Sequence, residues 1–444
     1  MYLILGMGRS GQAATIWLQD RNEKVITCDD DPKKGEDSNT IPWDEITAVI
    51  QSPGIPYSLP KPHAITAEAL SRNIPILSDI NLLRQSQDKA AFIGITGTNG
   101  KSTTTALIGH ILKANKKDVE VGGNIGIPAL SLPQLRSSST YVLELSSYQL
   151  EFSSSLNLNI AAWLNISEDH LERHGSMDGY VKAKMRIFEG CQKATIGIDD
   201  SYSLKVYEQI SKQIQTLSVS VSPLSSSNTS LSSSGLTRGP ADIWVSQGTL
   251  FDGGSPAIDL NFIPTLKGKH NHQNAAIAYA TMRLHGLSTH SIQNAMVTFP
   301  GLAHRLEIVS ENNNILFVND SKATNADATA KALDTYQDAS IYWIAGGRPK
   351  SNGITPLIPY FSKIKHAFLI GEAEADFPKT LDSKASYSKC GDLNTAVERA
   401  FDMAQKDNSK QAVILFSPAC ASFDQFKDFE HRGEVFRNLV RSLL

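Results

Sequence analysis

Short, fully apolar runs punctuate the chain, each ending in glycine or a polar cluster. YLIL (2–5) runs into GMGRSG and then into AATIWLQD, whose apolar residues recur at helical spacing. KVITC (24–28) ends in three aspartates, and AVIQSPG (48–54) and IPILSD (74–79) end in turns. Runs of four to six apolar residues bounded by turn signals suit strands buried on both faces. The polar stretch QSQDK (85–89) marks a boundary, after which AAFIGIT (90–96), YVLELSS (141–147) and IAAWLNI (160–166) read as strands of a second sheet. NHQNAAIAYATMRLHGL (271–287) carries helical periodicity and a closing glycine. A third series starts near FPGLAHRLE (299–307) with ILFVNDS (315–321), SIYWIAGG (340–347), HAFLIG (366–371) and AVILFSP (412–418). Strands alternating with helices predict mostly parallel sheets. The expected fold is α/β: three consecutive domains at 1–89, 90–298 and 299–444, with Rossmann-like first and last members and a phosphate-loop ATPase-type centre. The Ser-rich stretch 218–240 offers little apolar surface to bury and is expected as a loop within the central domain.

The bulk numbers exclude more than they assign. A length of 444 residues suggests about three domains. Hydrophobic content of 41%, charged content of 20% and a net charge of −3 give no reason to expect nucleic acid or an anionic membrane as partner. No apolar run reaches the length of a membrane span, and MYLILGMGRSG lacks the basic start of a signal peptide. Cys28, Cys191, Cys390 and Cys420 are scattered, which argues for a reducing compartment and against a zinc ribbon. A cytoplasmic protein is expected.

Chemistry concentrates at GITGTNGKST (94–103). A phosphate loop needs backbone N–H groups converging at a helix start, a lysine, and a hydroxyl for magnesium. Gly97, Gly100, Lys101 and Ser102 supply these between the strand FIGIT and the helical TTTALIGHIL. The standard spacing would put a glycine at position 95, where Ile95 stands; Ile95 therefore belongs to the strand and the loop is shorter. The bland alternative is a glycine-rich turn with a chance GKS. Glu144, at another strand end, holds the position of a metal carboxylate, although a capping glutamate would look the same. His170 follows a third strand end. Gly6-x-Gly8-x-x-Gly11 with Asp29 downstream matches a dinucleotide fingerprint, and equally a turn that takes the diphosphate of a UDP-sugar.

Taken together, TGTNGKST (96–103), GGNIG (122–126), ELSSYQLE (144–151), NISEDHLERH (165–174), KAKMRIF (182–188), KHNHQNAAIA (269–278), AHRLE (303–307), NDSKATN (319–325) and SPACASFDQFKDFEHRG (417–433) resemble the Mur ligase superfamily. These are the ATP-dependent amide ligases of peptidoglycan synthesis, and the C-terminal run looks like the D-glutamate-adding branch. The resemblance covers nearly the whole chain apart from 218–240. It implies a soluble, monomeric ligase that joins D-glutamate to UDP-N-acetylmuramoyl-L-alanine through an acyl phosphate, without nucleic acid or membrane insertion. Arg9, Ser10, Asp29, Asp30, Ser52 and Asn124 would bind the UDP-substrate. Gly97, Thr98, Asn99, Gly100, Lys101, Ser102, Thr103, Asn271, Arg305 and Asp320 would bind ATP, with Asn274 beside Asn271. Ser102, Glu144, His170 and Lys184 would hold two Mg2+, Lys184 as a CO2-derived carbamate; without the resemblance, Lys184 or Lys182 would be read as a solvated helical lysine. Lys101, His170, Lys184, Arg305 and Lys322 would be catalytic, and Thr324, Lys350, Ser422, Phe423 and Phe429 would bind D-glutamate. Rival readings are folylpolyglutamate synthetase, a phosphate-loop NTPase switch, and a dehydrogenase from GMGRSG. The first fits neither the UDP-type first domain nor ACASFDQF, the second would turn over nucleotide without an amino acid, and the third would need to bind nicotinamide.

Overall fold

The computed structural model describes all residues except 37–39, 222–240, 337, 351–352 and 408. Packing divides the chain into two compact units, Met1–Phe299 and Pro300–Leu444. The first unit carries two sheets and the second carries one.

The apolar runs at the N-terminus form a four-stranded parallel sheet in the order Val25–Cys28, Tyr2–Leu5, Ala48–Gln51, Ile76–Leu77. IPILSD contributes only two strand residues; Ser78 instead caps the helix Asp79–Ser86 through a capping box with Asn81. Connections from Tyr2–Leu5 and Ala48–Gln51 leave in opposite directions, so a crevice opens at their carboxyl ends, where open α/β sheets bind ligands.

The second sheet has nine strands, ordered Ser255–Asp259, Thr249–Asp252, Ile243–Ser246, Gln215–Ser220, Lys193–Gly197, Ile160–Trp163, Ala91–Thr96, Thr140–Glu144, Val119–Gly123. All neighbours are parallel except in the terminal meander of Ile243–Ser246, Thr249–Asp252 and Ser255–Asp259. Strand Ala91–Thr96 sits beside Ile160–Trp163, and their onward connections diverge, which places a second crevice between them. Residues 218–220 of the Ser-rich stretch belong to strand Gln215–Ser220, and 222–240 lie outside the described residues. Helix Lys101–Ala114 covers one face with helix Lys269–His285, which ends at Gly286 in the left-handed region. On the other face, Ala13, Ala14, Leu18 and Ile80 from around the first sheet share one core with Phe92, Leu130, Tyr141 and Leu143.

The second unit is a six-stranded sheet ordered Glu307–Asn312, Ile315–Asn319, Ala412–Phe416, Ser340–Gly346, Ile364–Ile370, Tyr387–Gly391. Only Glu307–Asn312 is antiparallel. Two apolar layers, one on each face, make this unit a core of its own.

Candidate active site

The phosphate loop leaves strand Ala91–Thr96 and enters helix Lys101–Ala114. Gly100 takes φ +83° at the helix start, and no side chain caps the helix, so its first N–H groups face an anion position. A Cβ on Gly100 would lie 2.0 Å from Asn274 Oδ1 and 2.8 Å from Leu164 Cδ2; only glycine fits. Lys101 folds back and donates from Nζ to the carbonyls of Gly97 and Thr98, each at 2.9 Å. The Asn99 amide donates to Asn165 Oδ1 at 2.9 Å, and Asn165 continues through Gln273 (2.8 Å) to Asp199 (2.9 Å). This polar chain, missed in the sequence, braces the loop from the neighbouring strand end. Thr98 is held by Tyr180 and Ser167. Ser102 stands half-buried and Thr103 buried in the first helical turn. In helix Lys269–His285, Asn274 Nδ2 donates to Asn271 Oδ1 at 3.2 Å, which puts the predicted adenine-contacting pair against the loop glycine.

Three other predicted residues belong to the same neighbourhood. Glu144 ends strand Thr140–Glu144 and is 3% exposed. Its Oε1 accepts from Asn124 Nδ2 at 2.9 Å, while Oε2 is buried without a hydrogen-bond partner. A buried ionisable oxygen without a partner is costly unless a cation completes it. His170, in the left-handed region at φ 53°, is fixed through Nδ1 by the Tyr148 hydroxyl (3.2 Å), with Asp169 3.4 Å from Nε2. Lys184, in helix Met177–Met185, is 1% exposed and donates to the Gly97 carbonyl at 2.9 Å. Burial, joined by the charge of Lys101, holds its amine well below the ordinary lysine value against the opposing pull of Asp169 and Glu144. Among the described residues no three His, Cys, Asp or Glu side chains form a ready-made metal cluster. The donor set still fits Mg2+, which typically keeps its waters and takes one or two carboxylates plus substrate phosphates.

A cavity of about 410 Å³ opens at the first crevice and reaches Gly123, Asn124 and Gly126 at the end of strand Val119–Gly123. Arg9, Ser10, Asp29, Ser52 and Asn124 all line it. The Met7 amide donates to Asp29 Oδ2 at 2.6 Å and the Asp31 amide to Oδ1 at 2.9 Å, and these bonds lower the Asp29 carboxyl below its ordinary value. Ser52 Oγ donates to the Gly6 carbonyl at 2.6 Å, and Arg9 reaches the Gly126 carbonyl. Asp30 is not among the lining residues; it pairs with His63 at 3.0 Å. Asn124 lines the cavity while holding Glu144, so it joins the cavity to the phosphate-loop region.

In the second unit the predicted residues gather at the carboxyl ends of Ile315–Asn319 and Ala412–Phe416. Asp320 is buried, accepting from Ser417 Oγ at 2.7 Å and the Leu306 amide at 3.2 Å, and burial pushes its carboxyl up to about 7. The exposed Arg305 side chain bears on Asp320 electrostatically. Lys322 Nζ lies 4.5 Å from the Phe429 ring centre, and the Thr324 amide donates to the Lys322 carbonyl. Ser422 is buried, Phe423 is 65% exposed, and Lys350 is exposed. Sequence reading missed Arg432. It is fully buried, donating to Ser321 Oγ (3.0 Å), the Ser321 carbonyl (2.7 Å) and the Cys420 carbonyl (3.1 Å), and so ties the NDSKATN and ACASF loops together. Burial lowers its guanidinium to about 10.

A phosphate loop at the switch point of a parallel sheet, an orphaned carboxylate beside it and a cavity that meets that carboxylate through Asn124 define a nucleotide-using α/β enzyme. Residues 95–282 match the Mur ligase middle domain, and 304–420 match the Mur ligase glutamate ligase domain. The UDP-N-acetylmuramoylalanine–D-glutamate ligase of Rhodospirillum rubrum is 46% identical over 99% of this chain and 94% of its own. That of Paramagnetospirillum magneticum is 43% identical over 99% and 96%. Among solved structures, UDP-N-acetylmuramate–alanine ligase from Thermotoga maritima superposes with TM-score 0.59 at 16% identity, covering 100% of this chain and 99% of that one. A MurF from Acinetobacter baumannii gives 0.61 at 18% identity, covering 86% and 82%. The two structural likenesses speak for the fold. The chain belongs to the Mur ligase family, among its UDP-N-acetylmuramoylalanine–D-glutamate ligases.

Proposed function

We propose that this chain joins D-glutamate to UDP-N-acetylmuramoyl-L-alanine at the expense of ATP. The whole-length identity to ligases of that name carries the reading. The geometry of Asn124, which lines the cavity and bonds Glu144, supports it. In this reading 1–89 holds the UDP-substrate, 90–298 binds ATP, and 299–444 brings D-glutamate. The cavity holds the UDP-substrate through Arg9, Ser10, Asp29, Ser52 and Asn124, with Asp30 nearby, and directs its alanyl carboxylate toward Glu144. ATP lies on Gly97–Thr103, where Lys101 exchanges the Gly97 and Thr98 carbonyls for phosphate oxygens, and Asn271 and Asn274 face the adenine. Ser102, Glu144, His170 and a carbamate on Lys184 would hold two Mg2+, which would supply charge neutralisation for the transferring phosphoryl group.

A carboxylate oxygen of the acceptor attacks the γ-phosphorus and ADP departs, leaving an acyl phosphate. The amine of D-glutamate, placed by Thr324, Lys350, Ser422, Phe423 and Phe429, then attacks the carbonyl carbon. The ammonium of D-glutamate gives up one proton to solvent before its amine attacks, and the tetrahedral centre passes a second to the departing phosphate as it collapses to the amide. Arg305 and Lys322 stabilise the negative charge as it moves, and Asp320 lies with Arg305 at the ATP. The enzyme acts as a single chain in the cytoplasm, a setting suited to its four unpaired cysteines.

An amino-acid panel tests the assignment. Phosphate release should require ATP, UDP-N-acetylmuramoyl-L-alanine and D-glutamate together, and Lys101→Ala should abolish it. Release with ATP alone, or a preference for another amino acid, overturns the reading.

A further inference from the structure

The first crevice and the phosphate-loop region are joined by one buried ion pair outside both. Arg173 Nε donates to Glu151 Oε2 at 2.7 Å, with the two side chains only 6% and 8% exposed. The partners of this pair come from separate segments. Arg173 Nη2 donates to the Ile55 carbonyl at 2.8 Å, and Ser58 Oγ donates to Glu151 Oε1 at 2.5 Å. Ile55 packs on the Gly6 turn and lines the substrate cavity, as does Ser52. On the other side, the Arg173 guanidinium lies 5.0 Å from the centre of the Tyr148 ring, and the Tyr148 hydroxyl fixes His170 Nδ1. Arg173 also sits in the single helical turn that starts right after His170. A continuous line of contacts thus runs from the glycine turn through Ser52–Ser58, Arg173 and Glu151 to Tyr148 and His170.

Burying a pair of charges is a weak way to gain stability, and apolar replacements of similar volume are often no less stable. What this pair does supply is geometry, since the fork of arginine fixes two oxygens from two segments at once. We propose that Arg173 and Glu151 are positioning residues that set the register between the substrate cavity and the His170 turn, so that the acceptor carboxylate arrives in line with the transferring phosphate. This rests on the ligase reading above.

The test is the double variant Arg173→Met/Glu151→Leu, which removes both charges together. It should melt cooperatively near the wild-type temperature and keep its KM for ATP within about twofold, because the phosphate loop has its own bracing. Its kcat should fall by about 30-fold and its KM for the UDP-substrate should rise, since small misplacements of reacting groups cost that order of rate. Wild-type kcat and KM in the folded double variant would overturn the proposal. If the double variant does not fold, Arg173→Lys keeps the charge but not the fork, and should show the same split at about fivefold to tenfold. Wild-type turnover in Arg173→Lys overturns it equally. Failure of the ligase reading is distinguishable, because the unmutated chain would then release no phosphate with D-glutamate and UDP-N-acetylmuramoyl-L-alanine.

Discussion

Lys184 and Asp320 are both buried ionisable groups, and burial pushes them in opposite directions that suit different tasks. For Lys184 it favours the neutral amine, whose lone pair can attack CO2 and lose a proton to form a carbamate. Protein equilibrated with ¹³C-bicarbonate should show one protected carbamate carbon resonance that disappears in Lys184→Arg, with turnover lowered at least about 100-fold. A resonance that survives the substitution would exclude Lys184 as its site. For Asp320 burial favours the protonated acid. Its folded value of about 7 stands above the ordinary 3.8, so the folded chain holds the proton more tightly than the unfolded one. Stability from this group is therefore fully present below about pH 4 and is lost as pH rises through about 7, by on the order of 4 kcal/mol. Asp320→Asn should flatten the slope of denaturant stability between pH 4 and pH 8. Parallel slopes for the two proteins would show that Asp320 titrates normally.

At the scale of elements, the glycine of a strand–helix turn decides whether the loop can cradle phosphate. Gly100→Ala would place a methyl at 2.0 Å from Asn274 Oδ1 in a backbone conformation alanine resists. ATP affinity should fall about 100-fold while unfolding free energy drops by about 1–3 kcal/mol, read by calorimetric titration and denaturant melts. Gly8 differs: it takes φ −72° and a Cβ there meets nothing within 4 Å, so Gly8→Ala should leave stability unchanged and disturb only ligands of the adjoining cavity. G-x-G-x-x-G shows three equal glycines, yet Gly8 is free while Gly6 takes φ +89° and a Cβ on Gly11 would strike the Gly6 carbonyl, a difference not legible in the motif. The parallel strands were legible because burial on both faces makes them continuous apolar runs. The meander of Ile243–Ser246, Thr249–Asp252 and Ser255–Asp259 was not, although Gln247-Gly248 and Gly253-Gly254 at its turns are hairpin signals. The phosphate loop and the Gly6 turn stand out by local pattern, whereas Glu144 and His170 needed the family resemblance to be read as more than a capping glutamate and a packed histidine. Arg432 does not stand out, since it lies in the helix Phe429–Leu443 and its tie to Ser321 spans 111 residues of chain. The Arg173–Glu151 pair escaped for the same reason.

At the scale of the whole molecule, the two compact units should divide the reaction between them. Unit 300–444 closes its own six-stranded sheet over apolar layers on both faces, which is the requirement for folding alone. Expressed separately, it should melt in one cooperative transition. Unit 1–299 retains the phosphate loop, Glu144, His170, Lys184 and the cavity holding Arg9, Ser52 and Asn124. It should bind UDP-N-acetylmuramoyl-L-alanine with Kd within about threefold of the full chain, because all the cavity's lining residues belong to that unit, and a non-hydrolysable ATP analogue more weakly, because Arg305 and Asp320 are expected at ATP. It should nevertheless release no phosphate above background, even with D-glutamate present. Arg305 and Lys322 are assigned to the moving charge and Ser422 to the amino acid, and removing all of them takes away stabilisation made only in the transition state. Turnover by 1–299 alone at a tenth of the full rate or more would refute those assignments. Loss of both ligands from 1–299 would instead show that both binding sites depend on 300–444.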